Sequence, residues 1–357
     1  MLQVGIVGLP NVGKSTLFKT LTKKQVPCEN FPFCTIEPNV GIVEVPDERL
    51  WALSKKSVSQ KTVTAAIEFV DIAGLVAGAH KGEGLGNKFL ANIREVDMIA
   101  HVVRAFKDSN VHHVNEGIDP LRDVEIIELE LAMADLDTVQ KRLNNLVSKM
   151  KAGKTRELEA EQSGLTKILA AIQSGKPARE VELDEDEQKV IKSFGLLTLK
   201  PVLYVVNVDE ETAASANWQS PLGPERLAFP LSVKIESEIM EMPAEEQTVF
   251  LESLGLKQSG LDRMIVKCYE LLNLITYFTS GEKESRAWTV RNGAKAPEAA
   301  GVIHTDFEKA FICAEIINWQ DFVALGEAGA KEAGKMHMEG KEYVMKDGDT
   351  CYFKVGV

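Results

Sequence analysis

The sequence predicts an α/β fold in which a helical insertion interrupts a nucleotide-binding domain and a smaller α+β unit follows. Short apolar runs ending in polar or glycine-rich loops are typical of parallel strands buried under helices on both sheet faces. These runs are Val4–Val7, Ala66–Val70, Met98–Val103, Val202–Val206 and a weaker one at Phe229–Leu231. A phosphate-binding motif follows the first run, and heptad-spaced apolar residues separate the third run from the fourth.

The helical insertion is predicted from a seven-residue repeat that begins near Arg122. The repeat is formed by Leu129, Leu136, Leu143 and Met150, with Val139 and Leu146 at the intermediate positions. Gly153 ends this helix. A second one carries Leu158, Leu165 and Ile172 and ends at Gly175 and Pro177. Two helices joined by a short break predict an antiparallel hairpin, which is either a protruding partner surface or a packed structural insertion.

The α/β pattern resumes at Leu196 and runs to about Asn273, and a small α+β unit is predicted beyond it. In that unit we expect strands at Arg286–Val290 and Ile312–Trp319. Tyr343–Met345 and Cys351–Val355 flank a turn and predict a hairpin. The predicted domains are 1–121 for the first part of the nucleotide domain, 122–195 for the hairpin, 196–273 for the second part and 274–357 for the tail.

The composition is that of a globular protein rather than a general polyanion binder. The 357 residues include 41 basic and 53 acidic side chains, for a net charge of −12. The five cysteines form no CxxC pair, which favours free thiols in a reducing compartment. We find no signal-peptide pattern and no apolar run of about 20 residues, the length that crosses a bilayer. We therefore expect a cytoplasmic protein without a membrane partner, and a monomer.

The strongest motif is a phosphate-binding loop directly after the first predicted strand. It reads Gly8-Leu9-Pro10-Asn11-Val12-Gly13-Lys14-Ser15 and is followed by Thr16. Glycines let the loop curl so that main-chain amides point at the phosphates, and the following helix adds its positive N-terminal end. Lys14 is expected between the β and γ phosphates, and the Ser15 hydroxyl is expected to bind Mg²⁺. The motif predicts a site for a purine nucleoside triphosphate.

Two further segments are predicted to complete the magnesium site. Asp71 begins the sequence Asp71-Ile72-Ala73-Gly74 at the end of a strand, where its carboxylate can hold Mg²⁺ through water. The Gly74 amide can contact the γ phosphate and move when that phosphate leaves. Thr35 is the candidate for a second hydroxyl ligand, although a loop threonine without that role fits the sequence too.

The loop after the strand at 202–206 is expected to read the base. A guanine reader of this class carries Asn-Lys-x-Asp, whereas this chain has Asn207-Val208-Asp209-Glu210. The Asn207 amide suits the N6/N7 edge of adenine, and Glu210 is one methylene longer than the aspartate that guanine requires. These differences favour ATP over GTP, unless Asp209 or Glu210 shifts to recover guanine binding. Ser232 and the residue after it are candidates for backbone contacts to the base.

Taken together, these stretches resemble the YchF/Obg-like ATPase family of translation-associated P-loop proteins. The resemblance is carried by Gly5–Thr16, Asn30–Asn39, Phe69–Val76, Lys81–Asn87, Arg286–Thr289 and Ile303–Lys309, and it covers essentially the whole chain. It implies a Ras-like nucleotide domain, an inserted helical hairpin and a C-terminal TGS domain of the β-grasp type. It further implies ATP preference through Asn207 and Val208, and association with the ribosome, through the large subunit or the whole particle.

Hydrolysis is expected to be slow without help. The position of the water-orienting glutamine of Ras-like enzymes is occupied by Leu75. One candidate replacement is His113 or its neighbour His112, because a histidine can orient water or carry a proton near neutral pH. The other is a K⁺ ion held by Asn11, which resembles the cation-binding asparagine of some related enzymes. A solvated loop histidine and a turn-shaping asparagine remain the plain alternatives.

Three functions fit these residues. The first is an ATP-hydrolysing switch on the ribosome, and the second is a GTPase of the same build. The third is a binding protein whose conformation is set by ATP and in which turnover matters little, as the leucine at position 75 would allow. A metabolic kinase fits less well, because no second substrate site is visible in the sequence.

Overall fold

The computed structural model describes residues 2–24, 39–72, 85–107, 117–215, 217–253, 256 and 258–356. The strands are β1 Gln3–Val7, β2 Val40–Glu44, β3 Lys61–Val63, β4 Ala66–Asp71, β5 Met98–Arg104, β6 Val202–Asn207, β7 Ala228–Leu231, β8 Leu274–Ser280, β9 Glu284–Arg291, β10 Phe311–Asn318, β11 His337–Glu339 and β12 Asp349–Val355. The helices are α1 Lys14–Thr22, α2 Glu48–Ser57, α3 Leu85–Glu95, α4 Pro120–Ala152, α5 Arg156–Gln173, α6 Glu185–Ile191, α7 Glu210–Ala214, α8 Val233–Ile239, α9 Ala244–Ser253, α10 Gly260–Leu271, α11 Ala296–Ile303, α12 Thr305–Lys309 and α13 Trp319–Glu332.

These elements form two compact units. The described part of residues 1–23, 38–41 and 68–260 makes the first unit, and the described part of 24–37, 42–67 and 261–357 makes the second. The domain boundaries predicted from the sequence stay a prediction. None of the helices in the described residues combines the length and the apolar character that a membrane span requires.

The first sheet has the strand order β2-β4-β1-β5-β6-β7. The pairs β1–β4, β1–β5, β5–β6 and β6–β7 are all parallel. All five predicted strands are therefore confirmed. Every residue of β5 is buried, as expected for a central parallel strand with both faces covered. Because the strands are parallel, the loops after β1, β4 and β6 leave the sheet at the same edge, where an open α/β sheet binds its ligand.

The two long helices α4 and α5 are confirmed where the seven-residue repeat predicts them. Asp119 caps α4 by accepting a hydrogen bond from the Arg122 amide, and Thr155 caps α5 in the same way through the Leu158 amide. Their shared core includes Val139, Leu146, Leu165, Ile168 and Ile172. This core explains why the two helices pack side by side.

The repeat is wrong at its first position. The Leu129 side chain is 61% exposed, whereas Val124, Ile127 and Leu131 are buried. This first part of α4 turns a different face inward, since Val124 packs with Val103 of β5 and Tyr204 of β6. A heptad repeat therefore describes α4 only beyond this region.

Asp135 joins the middle of α4 to the segment that returns to the sheet. One carboxylate oxygen accepts a hydrogen bond from the Leu197 amide at 2.8 Å. The other accepts from the Thr198 amide at 2.7 Å and from the Thr198 hydroxyl at 2.6 Å. The carboxylate is buried, and burial raises its pKa while these hydrogen bonds oppose the rise. The three contacts fasten the root of the two-helix insertion.

The second unit contains a mixed sheet of order β11-β10-β12-β8-β9-β3. The predicted strands at 286–290 and 312–319 correspond to β9 and β10, although Trp319 begins α13 instead of ending the strand. The predicted hairpin of 343–345 with 351–355 is wrong. Val344 forms an isolated bridge with Lys295, because both edges of β12 are already occupied by β10 and β8.

Candidate functional site

The loop between β1 and α1, residues 8–15, is here called the phosphate loop. Its backbone has a positive φ at Gly8, Asn11 and Gly13, of 155°, 64° and 104°. A Cβ at Gly8 would lie 2.4 Å from the Val102 carbonyl oxygen, and one at Gly13 would lie 2.5 Å from Asn207 Nδ2. The two glycines are therefore required by space as well as by backbone conformation.

The N-terminus of α1 is arranged to receive an anion. Its N-cap is Gly13, which has no side chain to bond the first helical amides. Those amides and the positive end of the helix dipole are what a phosphate group binds. The Asn11 side chain is exposed beside this end, and Val12 is buried. The prediction that this loop binds phosphates stays a prediction, and its backbone has the geometry that the function requires.

Lys14 is placed inside the site rather than on the surface. Its side chain is buried, and Nζ donates a hydrogen bond to the Leu9 carbonyl oxygen at 2.8 Å. Burial lowers the pKa of Lys14, and the nearby Asp71 carboxylate opposes that change. Burial likewise raises the pKa of Asp71, and Lys14 opposes it. Each group is therefore the charge partner of the other, although they come from different strand ends.

Ser15 and Asp71 fit a magnesium ion. Ser15 is exposed and its hydroxyl has no hydrogen-bond partner among the described residues, while Asp71 ends β4 at the same edge of the sheet. A hydroxyl and a carboxylate are the oxygen ligands that Mg²⁺ takes, with waters and substrate phosphates filling the other positions. Within the described ranges no cluster of three or more His, Cys, Asp or Glu side chains could hold a metal by itself. Thr16, next to Ser15, is exposed.

Asn207 joins three elements at the end of β6. Its Nδ2 donates to the Val12 carbonyl oxygen at 3.0 Å, and its Oδ1 accepts from the Val233 amide at 3.1 Å. The side chain is buried between the phosphate loop and the start of α8. The predicted contact with the adenine edge stays a prediction. The structure adds a role as a latch between these elements, which the sequence does not reveal.

The rest of the loop at 207–210, here called the base loop, has varied surroundings. Val208 is buried in an apolar cluster with Val103 and Leu222. Asp209 caps α7, because its Oδ1 accepts from the Thr212 amide at 2.9 Å. The predicted contact between Val208 and the base stays a prediction, and a buried valine offers it no polar atom.

Glu210 forms an exposed ion pair with Lys234 at 3.1 Å. Lys234 follows Ser232 by two residues at the start of α8, and Ser232 is buried as the N-cap of that helix. Both acids of the base loop therefore have partners within the protein. Sequence reasoning misses Lys234, because an exposed lysine in a helix carries no signal that would single it out.

Three predicted site residues lie outside the described residues. They are Thr35, Gly74 and His113. The alternative histidine, His112, and the leucine at position 75 lie outside the described residues too. Their predicted roles in magnesium binding and hydrolysis stay predictions.

Two protein-family models match the chain. One is described as "50S ribosome-binding GTPase" and matches residues 3–144, which contain the phosphate loop. The other, YchF-GTPase_C, is described as "Protein of unknown function (DUF933)" and matches residues 274–356. The two matches fall at the nucleotide-binding end and at the C-terminal end of the chain.

Curated proteins and a solved structure resemble the chain from end to end. It is 52% identical to the "Ribosome-binding ATPase YchF" of Bacillus subtilis (strain 168), over 100% of both chains. It is 48% identical to the protein of the same name from Escherichia coli O157:H7, over 99% of both. A structure described as "Structure of the Schizosaccharomyces pombe YchF GTPase" superposes with a TM-score of 0.87 and 41% identity, covering 99% of this chain and 97% of that one.

Proposed function

This chain belongs to the YchF family of P-loop NTP hydrolases, and from that membership we propose that it is a Mg²⁺-dependent ATPase acting as a ribosome-associated molecular switch. The observation that carries the proposal is the phosphate loop with its uncapped helix end, the buried Lys14 and the facing Asp71. Binding to the ribosome, through the large subunit or the whole particle, is supported by the names of the bacterial relatives. A cytoplasmic location follows from such a partner.

The proposed architecture follows the family. We assign a Ras-like nucleotide domain to 1–121 and 196–273, an antiparallel helical hairpin to 122–195 and a TGS domain of the β-grasp type to 274–357. The parallel first sheet, the packed pair α4–α5 and the mixed second sheet support these assignments. We propose that the protein acts as a monomer, and sedimentation at working concentration tests this.

ATP is proposed over GTP because the base loop offers guanine no free carboxylate. A guanine reader needs an acid facing N1–H and the amino group, whereas Asp209 caps α7 and Glu210 pairs with Lys234. A site that cannot pair a buried polar edge of its ligand discriminates against that ligand. The names of relatives differ on this point, with ATPase for the bacterial proteins and GTPase for the fission yeast structure.

Nucleotide competition tests the base preference. Displacement of a fluorescent ATP analogue by ATP and by GTP, with Mg²⁺ present, should show ATP as the stronger competitor. Equal displacement by the two nucleotides would remove the ATP assignment and leave a GTPase of the same fold.

The hydrolase assignment is tested by Lys14→Ala. Losing one charged group that stabilises the transferring phosphoryl should lower turnover by roughly 10²–10³-fold. Lys19→Ala, an exposed lysine on the same helix, is the matched control and should leave turnover unchanged. Mg²⁺-dependent turnover that survives in the Lys14 variant would overturn the assignment.

The element that positions the attacking water is proposed to be either His113 or a K⁺ ion at Asn11. The leucine at position 75 supplies no polar atom for that task, so intrinsic turnover should be slow. If His113→Ala leaves partner-stimulated ATPase intact, the histidine is excluded. If replacing K⁺ by Na⁺ changes nothing, the cation is excluded.

A second candidate function is a binding protein gated by ATP with little turnover. Leu75 favours it for the same reason that it disfavours fast hydrolysis. Measured affinity for ribosomes with ATP, with ADP and without nucleotide separates the two candidates. A gated binder changes its affinity for the ribosome on ATP binding alone, whereas a hydrolytic switch leaves the ribosome only after it has hydrolysed ATP.

A further inference from the structure

A cavity of about 380 Å³ lies between the sheet and the roots of α4 and α5. Its floor is formed by His101 on β5 and Tyr204 on β6, and Glu128 of α4 faces them. No residue of the phosphate loop or the base loop lines it. Its volume lies within the range of small-molecule sites, about 300–1,000 Å³. The cavity is thus separate from the nucleotide site and large enough to hold a ligand.

His101 is the polar side chain on the floor of the cavity that is available to a ligand. Its side chain is 3% exposed, and neither ring nitrogen has a hydrogen-bond partner among the described residues. Its ring lies 5.6 Å from that of Tyr204, in a tilted arrangement. Burial lowers the pKa of His101 to about 4, so that the imidazole is neutral at pH 7. A neutral imidazole has one donor and one acceptor nitrogen, and both are left for a ligand.

The Glu128 carboxylate in the cavity already has partners within the protein. Glu128 accepts from the Tyr204 hydroxyl and from Arg226 at 3.0 Å, and it pairs with Arg179 at 3.5 Å. Arg179 also donates to the Tyr204 hydroxyl at 3.0 Å. These contacts hold the Glu128 carboxylate in place and set two guanidinium charges against its single negative charge. Glu128 therefore does not repel an incoming anion as a free carboxylate would.

Positive charge remains at this cavity. Three basic side chains line it, Lys176, Arg179 and Arg226, against two acidic ones, Glu125 and Glu128. The Lys176 side chain makes no ion pair within the described part of the chain and is exposed near the opening. A local excess of basic groups on a chain of net charge −12 is the feature that an anionic ligand would use.

We propose that this cavity binds a small organic carboxylate with an apolar body. The carboxylate is held by Lys176 and the free N–H groups of Arg179, while the apolar body lies against Ile127, Ile172 and Val202. A polar group at the far end of the ligand reaches His101. This division into apolar walls and a few convergent polar groups is that of ordinary small-molecule sites.

The floor of the cavity is next to the strand that leads into the phosphate loop. His101 is the strand partner of Val7, which precedes Gly8, and Gly8 packs against the carbonyl of the next β5 residue, Val102. A ligand that shifts His101 therefore acts on the strand that supports the nucleotide site. The site does not depend on which nucleotide is bound there, so its test is independent of the proposed ATPase.

Histidine NMR on the full chain tests the site, with 4-hydroxybenzoate as probe and 4-hydroxybenzamide as its uncharged match. The His101 ring signal is assigned by its loss in His101→Gln. Its chemical shift should change saturably as benzoate is added, and the affinity derived for the amide should be about fivefold lower. Lys176→Gln should weaken benzoate binding by a similar factor, whereas Lys154→Gln, an exposed lysine elsewhere on the helical insertion, should not.

Three results would overturn the proposal. No shift of the His101 signal at the highest soluble benzoate concentration removes the site. Equal binding of the amide and the carboxylate removes the anionic class of ligand. Unchanged affinity in Lys176→Gln removes the charged opening, and the backbone spectrum of that exposed variant shows whether its fold is intact.

Discussion

The phosphate loop and the base loop leave the same edge of one sheet but depend on different parts of the chain. The phosphate loop works through its backbone, since Gly8 and Gly13 have neither the space nor the backbone angles for a side chain. The base loop works through side chains, and each of these side chains contacts a different neighbour within the protein. Asn207 of the base loop links the two, because its side-chain amide donates a hydrogen bond to the Val12 carbonyl of the phosphate loop. Triphosphate binding should therefore tolerate little change, whereas base preference can be adjusted gradually.

The largest effect is expected from Gly13→Ala. Its Cβ would collide with Asn207 Nδ2, and an L residue is strained at φ 104°. A displacement of about 1 Å at a reacting group costs on the order of 10²-fold, so ATP affinity and turnover should fall by at least that factor. Isothermal titration with ATP·Mg²⁺ measures the loss.

Gly293→Ala is the matched control for that variant. Gly293 has φ 89°, and a Cβ added to it would meet no atom within 4 Å, so it reports strain without collision. Normal ATP binding in that control, together with loss in Gly13→Ala, shows that the effect belongs to the phosphate loop and not to alanine at any glycine of positive φ. Equal binding by both variants would contradict the role given to the phosphate loop backbone.

Asn207→Ala should have the second-largest effect. It tests whether Asn207 holds the phosphate loop to α8 or only contacts the base. The substitution leaves the Val12 carbonyl and the Val233 amide without their partner. Two buried groups left unpaired should lower the free energy of unfolding by about 2–4 kcal/mol. Urea denaturation measures this, with the exposed Asn145→Ala as control. A pure base reader would lose ATP affinity with no change in stability.

Asp209→Ala should have a moderate effect that depends on pH. Hydrogen bonds from Thr212 lower the pKa of Asp209, so the folded state favours the charged carboxylate. That stabilisation is present above the unfolded pKa near 3.9 and is lost as pH falls through the lower folded value. At pH 7 the loss of this helix cap should cost about 1 kcal/mol.

Urea unfolding of the Asp209 variant at pH 7 and at pH 3 checks the sign. The difference in free energy of unfolding between wild type and variant should be smaller at pH 3 than at pH 7. Asp137→Ala, an exposed acid in the middle of α4, should show no such gap at either pH. A gap that widens on acidification would show that the cap is not the source of the effect.

The smallest effect is expected from Glu210→Asp. The shorter side chain gives up the exposed pair with Lys234 and brings a carboxylate to the length that guanine readers use. The affinity for GTP relative to ATP should rise, by less than about tenfold, since an exposed ion pair contributes little. Nucleotide competition measures the ratio, with Glu211→Asp as control. An unchanged ratio would mean that the base loop does not set the preference.

The phosphate loop can be located from the sequence because its chemistry depends on residue types at fixed spacing. Gly8, Gly13 and Lys14 can be identified without knowing their neighbours. The five parallel strands were predictable for a similar reason, since burial on both faces leaves continuous apolar runs. The two long helices were predictable from apolar residues that recur every seven positions.

What the sequence did not reveal depends on partners far along the chain. The latch at Asn207 bonds backbone atoms of Val12 and Val233, and a backbone atom leaves no mark in a sequence. Leu129 fits the repeat but is exposed, because Val124 near the start of α4 packs on the sheet, whereas the later positions of the repeat pack on α5. The pairing of Val344 with Lys295 was hidden because a turn signal does not show which strand edges are free.

The fastening of α4 at Asp135 has a mechanical consequence. The helix has 33 residues and so extends about 50 Å. Asp135 lies near the middle of the helix, so about 17 residues, or roughly 26 Å, extend from the fastening to the end beside Gly153. Over that distance, a tilt of about 5° at Asp135 moves the end of the helix by about 2 Å, so a small rotation at the fastening is enlarged along the outer half of α4.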